Sequence, residues 1–290
     1  MLPFRKILFP VDFSQPCQSI IPYVNNMTRE LSAALIAVHA CGGSTEVGSD
    51  FRAPYPSEES LAIEDSRLRE FAAASFRDLR VQCITARGEP LAVIHKVVQH
   101  EGADLIMIPT RGQPLLQRFL HGSVTASVLH DVTAAVWTGV PGNFVEYLPR
   151  ISFESFVCGL GSGDEAEMIL GIAATFADSV HARLSLVNVV ETSEELVFSP
   201  YKQDLLDKAE DRLRKLKRIV GVDAPHAILD SPTPAGIKHE AIRRNADLLI
   251  LGRGHAQDKV SRIWSQLYAI VRESPCPVLS LPIRKRTWVD

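Results

Sequence analysis

Gly112, Gly122 and Ser123 are residues whose types and spacing favour the binding of an anion. Gly112 lies in a polar loop after a short apolar run, and Gly122-Ser123 comes directly before a helix predicted over 124–130. Glycine lets the backbone approach a ligand, and the unpaired N–H groups of a helix's first turn carry the positive end of its dipole. Ser123 could add a hydroxyl donor and Arg111 a charge. The ordinary alternative is a helix cap and a turn that bind nothing.

Asp12 is the second candidate, because it follows an apolar strand predicted over 6–12. A carboxylate only accepts hydrogen bonds, so it suits the N–H and O–H donors of a base or a sugar and would repel a phosphate. Ser14 is predicted to cap the next helix, with Pro16 in its first turn. The alternative role for Asp12 is therefore local, in an Asx turn or as an acid near the start of that helix.

Strands and helices alternate through the first half of the chain. Strands are predicted over 6–12, 35–40, 80–86, 105–108 and 134–138, and helices over 14–32, 58–79, 89–100 and 124–130. This order predicts an α/β fold with a right-handed, doubly wound parallel sheet. Ligands of such sheets lie beyond the carboxyl ends of the strands, where the strand order reverses. If the first and fourth strands are neighbours, Asp12 and the glycine loop face one crevice.

The pattern is repeated after a linker predicted over 143–150, so the expected domains are 1–142 and 151–290. The second copy has strands predicted over 156–160, 184–190, 224–229 and 277–281, and helices over 164–180, 201–220 and 234–245. Ala246-Asp247 and the apolar run after it match Ala103-Asp104 and its apolar run. Because there are two copies of about 140 residues, the repeat is a duplication and not a solenoid.

The second copy differs from the first where a ligand would bind. Gly161 stands in the place of Asp12, and Trp264-Ser265 stands in the place of Gly122-Ser123. A tryptophan there would fill volume that a phosphate needs. The second copy is therefore predicted not to bind the ligand of the first.

The amino-acid composition indicates which kinds of binding partner and which cellular location to expect. The chain has 290 residues, of which 46% are hydrophobic and 22% charged, and its net charge of −3 comes with scattered basic residues. This composition favours neither nucleic acid nor an anionic membrane as a partner. The five cysteines are widely separated and lack CxxC spacing, which favours reduced thiols in the cytoplasm. No uncharged apolar run approaches the roughly 20 residues of a membrane span.

Two segments resemble the universal stress protein family. The sequence Pro109-Thr110-Arg111-Gly112, nine further residues and Gly122-Ser123 is similar to the family's G-x-x-G-x9-G-S/T nucleotide loop, and ILFPVDFS is similar to its opening strand. The resemblance covers essentially the whole chain and implies two tandem five-stranded parallel sheets. Each would have a Rossmann-like, adenine nucleotide alpha hydrolase-like fold in three α/β/α layers. Pro109 departs from the family's first glycine, and because proline has no N–H, one backbone contact is lost.

The resemblance implies that the first domain binds ATP or another adenine nucleotide. Asp12 would hold the adenine or ribose side, beside the backbone of Pro10 and Val11, and Ala40 would line the base. The remaining loop residues would hold the phosphates: Pro109, Arg111, Gly112, Gly122, Ser123, Val124 and Thr125. Magnesium could accompany a triphosphate, although the sequence shows no dedicated carboxylate site for it. If Pro109 abolishes the site, no cofactor is expected.

Two functions follow from the resemblance. The first is a cytoplasmic stress-response sensor regulated by adenine nucleotide, and the alternative is a nucleotide-free scaffold that acts through protein–protein contacts. No nucleophile–base arrangement is evident, so we expect at most slow ATP hydrolysis or autophosphorylation. The resemblance also implies a pseudo-dimer within one chain, in which the last strands at 134–138 and 277–281 pair, and it allows a further homodimer.

Overall fold

The computed structural model describes residues 3–42, 57–109, 128, 132–139, 151, 153–163, 165–191, 201–253 and 261–282, with the backbone alone for 261–265. The chain divides into two units. Domain 1 is Phe4–Ser152, and domain 2 is Phe153–Asp290 with Met1–Pro3. The two-domain organisation is confirmed, whereas the boundaries at 142 and 151 stay a prediction.

Domain 1 is a parallel five-stranded sheet with helices between the strands. Its described strands are β1 (Lys6–Pro10), β2 (Ala34–Cys41), β3 (Val81–Arg87), β4 (Leu105–Ile108) and β5 (Ala135–Thr138). Its described helices are α1 (Gln15–Ser19), α2 (Ile21–Glu30), α3 (Glu58–Ser75) and α4 (Pro90–Glu101). The spatial order is β3-β2-β1-β4-β5, so the strand order reverses between β1 and β4. The predicted doubly wound sheet is confirmed.

Domain 2 repeats this arrangement. Its described strands are β6 (Ser155–Gly159), β7 (Arg183–Val190), β8 (His226–Asp230), β9 (Leu248–Arg253) and β10 (Val278–Pro282). Its described helices are α5 (Ala166–Ser179), α6 (Tyr201–Val220), α7 (Thr233–Arg243) and α8 (Ser261–Glu273). The order within the domain is β10-β9-β6-β7-β8, and all its pairs are parallel. If the strands of each domain are numbered one to five along the chain, both sheets have the spatial order three, two, one, four, five.

The matching aspartates Asp104 and Asp247 hold the first strand of each domain. Asp104 Oδ1 accepts a hydrogen bond from the Lys6 amide at 2.9 Å, and Asp247 Oδ2 accepts one from the Ser155 amide at 3.0 Å. A carboxylate that accepts backbone N–H bonds joins the start of one strand to the start of its neighbour. The sequence match between the two copies therefore reflects a structural contact.

The single helix predicted over 14–32 is wrong, because the structure has two helices separated at Ile20. Pro22 lies in the first turn of α2 and has no N–H for the carbonyl of Gln18. The helix predicted over 58–79 ends early, at Ser75. Phe76 leaves the helical conformation there and packs edge-on against Phe9 in the core, with 5.9 Å between the ring centroids.

Candidate functional site

The candidate site lies at the carboxyl edge of the domain 1 sheet, where the strand order reverses. Strands β1 and β4 are parallel neighbours, with Ile7 opposite Leu105. Asp12 follows β1 and Pro109 follows β4, so both leave the sheet at the same edge. The condition stated for a shared crevice, that the first and fourth strands are neighbours, is met.

The other expected site residues are placed only in part. Pro10 and Val11 lie at the end of β1 or just after it, and Ala40 is half-buried near the end of β2, opposite Ala86 of β3. Of the residues expected to hold phosphate, Pro109 directly follows β4, and the others lie outside the described part of the chain, namely Arg111, Gly112, Gly122, Ser123, Val124 and Thr125. That these residues face the same crevice as Asp12 therefore stays a prediction. Of the helix predicted over 124–130, only Val128 is described, and its side chain is buried.

Asp12 is exposed and belongs to a hydrogen-bonded turn. Its Oδ1 atom accepts hydrogen bonds from the Ser14 amide at 3.0 Å and from the Ser14 hydroxyl at 2.6 Å. The Ser14 Oγ atom in turn accepts from the Cys17 amide at 3.3 Å, which confirms Ser14 as the cap of α1. The Asx turn considered for Asp12 is thus present. It fixes the carboxylate at the surface through one of its two oxygens and leaves a ligand role open.

Val11, directly before Asp12, is held to β2 through both of its backbone groups. Its amide donates to the Val38 carbonyl at 2.8 Å, and its carbonyl oxygen lies 2.7 Å from His39 Nδ1. Its side chain is buried. The backbone that enters the Asp12 turn is therefore fixed.

Phe13 continues this turn in an unusual conformation. Its φ is +59°, in the left-handed region that a residue with a bulky side chain seldom adopts. Three side chains pack around the ring: the His39 ring at 4.8 Å and the Phe71 ring at 5.5 Å between centroids, and the Arg67 guanidinium carbon at 4.0 Å from the centroid. Glu64 lies beside them, with Oε2 at 3.6 Å from His39 Nε2. We call these five residues the Phe13 cluster.

Sequence reasoning missed the Phe13 cluster. His39 appeared isolated along the chain, since it is 28 residues from the carbonyl that it contacts. Only the pairing of β1 with β2 brings the two together, with Pro10 opposite Val38. The alternation of side chains along β2 could have placed His39 near β1 but not against Phe13.

Cys17 lies beneath the Asp12 turn and is buried. Burial, with a smaller contribution from the Asp12 charge, raises the pKa of its thiol to about 12. A thiol with such a pKa stays protonated near neutral pH and is a poor nucleophile. All five cysteines are free.

The corresponding edge of domain 2 is filled by side chains. By the strand pairing in the two domains, Gly159 at the end of β6 corresponds to Pro10. A Cβ atom added to Gly159 would lie 2.5 Å from Leu251 Cδ2 and 3.0 Å from Ile237 Cδ1. These two side chains therefore occupy the space that the proline ring takes in domain 1.

Glu191 adds a second obstruction in domain 2, directly after β7. Its Oε1 atom accepts hydrogen bonds from the Thr233 amide at 2.7 Å and from Gln266 Nε2 at 3.0 Å. The carboxylate thus joins the end of β7 to the first turn of α7 and to α8. Gly42 stands at the matching position after β2 and has no side chain for such a bridge.

The stretch that matches Gly122-Ser123 lies inside a helix in domain 2. Helix α8 begins at Ser261, so Trp264 and Ser265 come after its first three residues. Backbone N–H groups from the fourth helical residue onward bond within the helix and are not available to a phosphate. Domain 2 therefore lacks a helix start at this position, in addition to lacking the acid of domain 1.

Within the described residues, no group of three or more histidines, cysteines, aspartates and glutamates could hold a metal ion. Of the helices that the structure describes, none has the length and apolar character needed to cross a membrane.

Comparisons of the sequence with known proteins indicate one family. The model described as "Universal stress protein family" matches residues 3–138 and 152–282. The chain is 29% identical over 133 residues to a Thermus aquaticus protein, "Universal stress protein in QAH/OAS sulfhydrylase 3'region", and the match covers 44% of this chain and 97% of that protein.

Solved structures of the same kind match over both domains. A universal stress protein from Archaeoglobus fulgidus has a TM-score of 0.68 at 16% identity and covers 97% of each chain. A putative universal stress protein from Pseudomonas aeruginosa has a TM-score of 0.64 at 13% identity, over 96% of this chain and 93% of that one. At these identities the structural likeness shows the fold alone.

Proposed function

Because the chain belongs to the universal stress protein family, we propose that domain 1 binds an adenine nucleotide, with ATP as the first candidate, and that the bound nucleotide regulates a stress response. The observation that carries this proposal is the adjacency of β1 and β4, which brings Asp12 and Pro109 to the edge where the strand order reverses. Ligands of doubly wound sheets bind at this edge.

The described half of the site fits the adenosine end of such a ligand. Asp12 is exposed and is held through Oδ1, so the carboxylate can accept hydrogen bonds from the amino group of the base or from the ribose hydroxyls. Ala40 is small and half-buried, which suits a residue that lines the base. In this proposal the amides at Gly122 and Ser123 hold the phosphates. Magnesium, if it accompanies a triphosphate, is held mainly by the phosphates, because the described residues offer no dedicated ligand cluster.

A nucleotide can act here as a regulator without any chemistry. Binding with a micromolar dissociation constant supplies about 8 kcal/mol. That free energy shifts a two-state equilibrium to the extent that the two states differ in affinity. The surface presented to a partner protein would then report the concentration of the nucleotide.

Calorimetric titration with ATP tests the proposal. We expect the Asp12→Asn variant to bind ATP at least about tenfold more weakly. The asparagine keeps the oxygen that accepts from Ser14, but it has an NH2 group in place of the charged oxygen that would accept from the ligand. Asp78→Ala is the matched control, since it removes an exposed carboxylate that pairs with Arg29 elsewhere on domain 1. Equal ATP affinities for wild type and Asp12→Asn would show that Asp12 does not take part in binding. No heat from either protein would end the proposal.

The second candidate is a nucleotide-free scaffold that acts through protein–protein contacts. The departure at Pro109 and the filled edge of domain 2 favour it. A native protein that carries no adenine nucleotide by mass spectrometry, and whose melting temperature is unchanged by ATP, would support this alternative over the first.

Location and assembly are further parts of the proposal. The free, separated thiols support a cytoplasmic location. Pairing of the last strands of the two domains, and a homodimer of whole chains, stay predictions. Sedimentation of the full chain would detect the homodimer.

A further inference from the structure

The His39 ring occupies a central place in the Phe13 cluster. A backbone carbonyl can only accept a hydrogen bond, so the 2.7 Å contact with the Val11 oxygen means that His39 Nδ1 donates. The other ring nitrogen, Nε2, is directed to Glu64, 3.6 Å from Oε2. A hydrogen bond therefore fixes the ring at Nδ1, whereas the 3.6 Å between Nε2 and Glu64 of α3 is too long for one.

Domain 2 shows which part of this arrangement is common to both copies. Asn188 corresponds to His39, and its Nδ2 atom donates to the Leu160 carbonyl at 2.6 Å. Leu160 corresponds to Val11, and its amide also bonds to β7, at the Val187 carbonyl. Both domains thus hold the residue after the first strand in the same way. The hydrogen bond alone is a feature of the fold and needs no imidazole.

Domain 1 differs from domain 2 at this position in having an aromatic ring, that of His39, in place of the amide of Asn188. It packs against Phe13, the residue with φ of +59° that directly follows Asp12. A left-handed conformation is unfavourable for a phenylalanine and persists only where the surroundings hold it. The matching residue in domain 2 is Ser162, which has neither the ring contact nor a positive φ. The contact between His39 and Phe13 therefore accompanies the acid that domain 2 lacks.

We propose that His39 is a positioning residue for the nucleotide site: its ring holds Phe13, and thereby the turn that presents the Asp12 carboxylate to the ligand. This inference rests on the proposed function of domain 1 and adds to it a residue that does not touch the nucleotide. A carboxylate held in one place binds its ligand with a smaller loss of conformational entropy than a mobile one.

The Asn188 contact suggests the variant that separates the two roles of His39. His39→Asn can keep the hydrogen bond to the Val11 carbonyl, as Asn188 does in domain 2, but it removes the ring from Phe13. We expect the unfolding midpoint of the full chain in urea to stay close to that of wild type. We expect the Ser14 amide, which donates to Asp12, to exchange its hydrogen about tenfold faster. The affinity for ATP should fall about tenfold.

Each outcome decides a separate point. Unchanged exchange at Ser14 would overturn the positioning role, whether or not ATP binds. Faster exchange with undiminished ATP affinity would show that the turn does not serve the ligand, and would also overturn it. If the wild type binds no ATP, the proposed function fails, and so does the role of His39 in positioning Asp12 for a nucleotide. The hydrogen exchange of the Ser14 amide then still tests whether the His39 ring holds the turn. Asn188→Ala in domain 2 is the control, and it should leave both the Ser14 exchange and the ATP affinity unchanged.

Discussion

Domains 1 and 2 share one scaffold but differ in the side chains at its carboxyl edge. The residue after the first strand is held in the same way in both, as Val11 and as Leu160. Beyond it, domain 1 has an exposed acid at Asp12, whereas domain 2 has Gly161 in an open turn. The comparison shows that one fold can be retained while the side chains at the ends of its strands change.

Domain 2 stabilises its edge with its own side chains. Leu251 and Ile237 fill the space above Gly159, and Glu191 bridges α7 and α8. In domain 1, Pro10 stands at the position of Gly159, and Gly42, which has no side chain, stands at the position of Glu191. If these internal contacts stand in domain 2 where a ligand binds in domain 1, they should contribute measurably to the stability of domain 2.

The largest effect is expected at Gly159. Gly159→Ala places a methyl group 2.5 Å from the buried Leu251 side chain, so the free energy of unfolding should fall by about 1–3 kcal/mol. Gly161→Ala is the matched control, because nothing lies within 4 Å of an added Cβ there. Urea denaturation of the full chain measures both. Equal midpoints for the two variants would mean that the domain 2 edge is not filled in solution.

A smaller effect is expected at Glu191. Glu191→Ala removes an acceptor that satisfies both the Thr233 amide at the start of α7 and Gln266 of α8, at a cost of about 1 kcal/mol. Gln266→Ala, which removes only one of the two bonds, should cost less in the same denaturation experiment. If Gln266→Ala is as destabilising as Glu191→Ala, the cap on α7 contributes nothing.

The smallest effect concerns an ion pair whose charges are reversed between the domains. In domain 1, Arg87 at the end of β3 pairs with Glu58 at the start of α3 at 2.7 Å, and in domain 2 Asp230 at the end of β8 pairs with Lys202 in α6. A double-mutant cycle with Glu58→Lys and Arg87→Asp should give a coupling of about 0.5 kcal/mol, since Glu58 is exposed. The double variant should stay somewhat less stable than wild type, because Glu58 lies in the first turn of α3, where the helix dipole favours an acid over a base. A coupling near zero would show that the pair is incidental, and high salt should weaken any coupling found.

Much of the fold follows from the sequence, because alternating apolar runs and helices allow few arrangements. The alternation predicted the parallel sheets and placed Asp12 and Pro109 each at the carboxyl end of a strand, and the structure makes those two strands neighbours. The break at Ile20 was missed, although Pro22 in the middle of the predicted helix was a local signal for it. The prediction used the start signals at Ser14 and Pro16 and did not take account of the second proline.

The contacts that distinguish the two domains could not be predicted, because they join residues far apart in the chain. Gln266 reaches Glu191 across 75 residues, and His39 reaches Val11 across 28. No local pattern marks either pair. The substitution of Gly161 for Asp12 was visible in the sequence, but the way in which Leu251 and Ile237 fill the space nearby depends on the packing of α7 against the sheet.

The central claim is that one domain of the two takes an adenine nucleotide, and the number of nucleotides bound per chain tests it most directly. Native mass spectrometry of the full chain with ATP should show one nucleotide per chain for wild type, and a strongly reduced fraction of bound protein for Asp12→Asn. Two nucleotides per chain, or one that binds Asp12→Asn as well as wild type, would contradict the account.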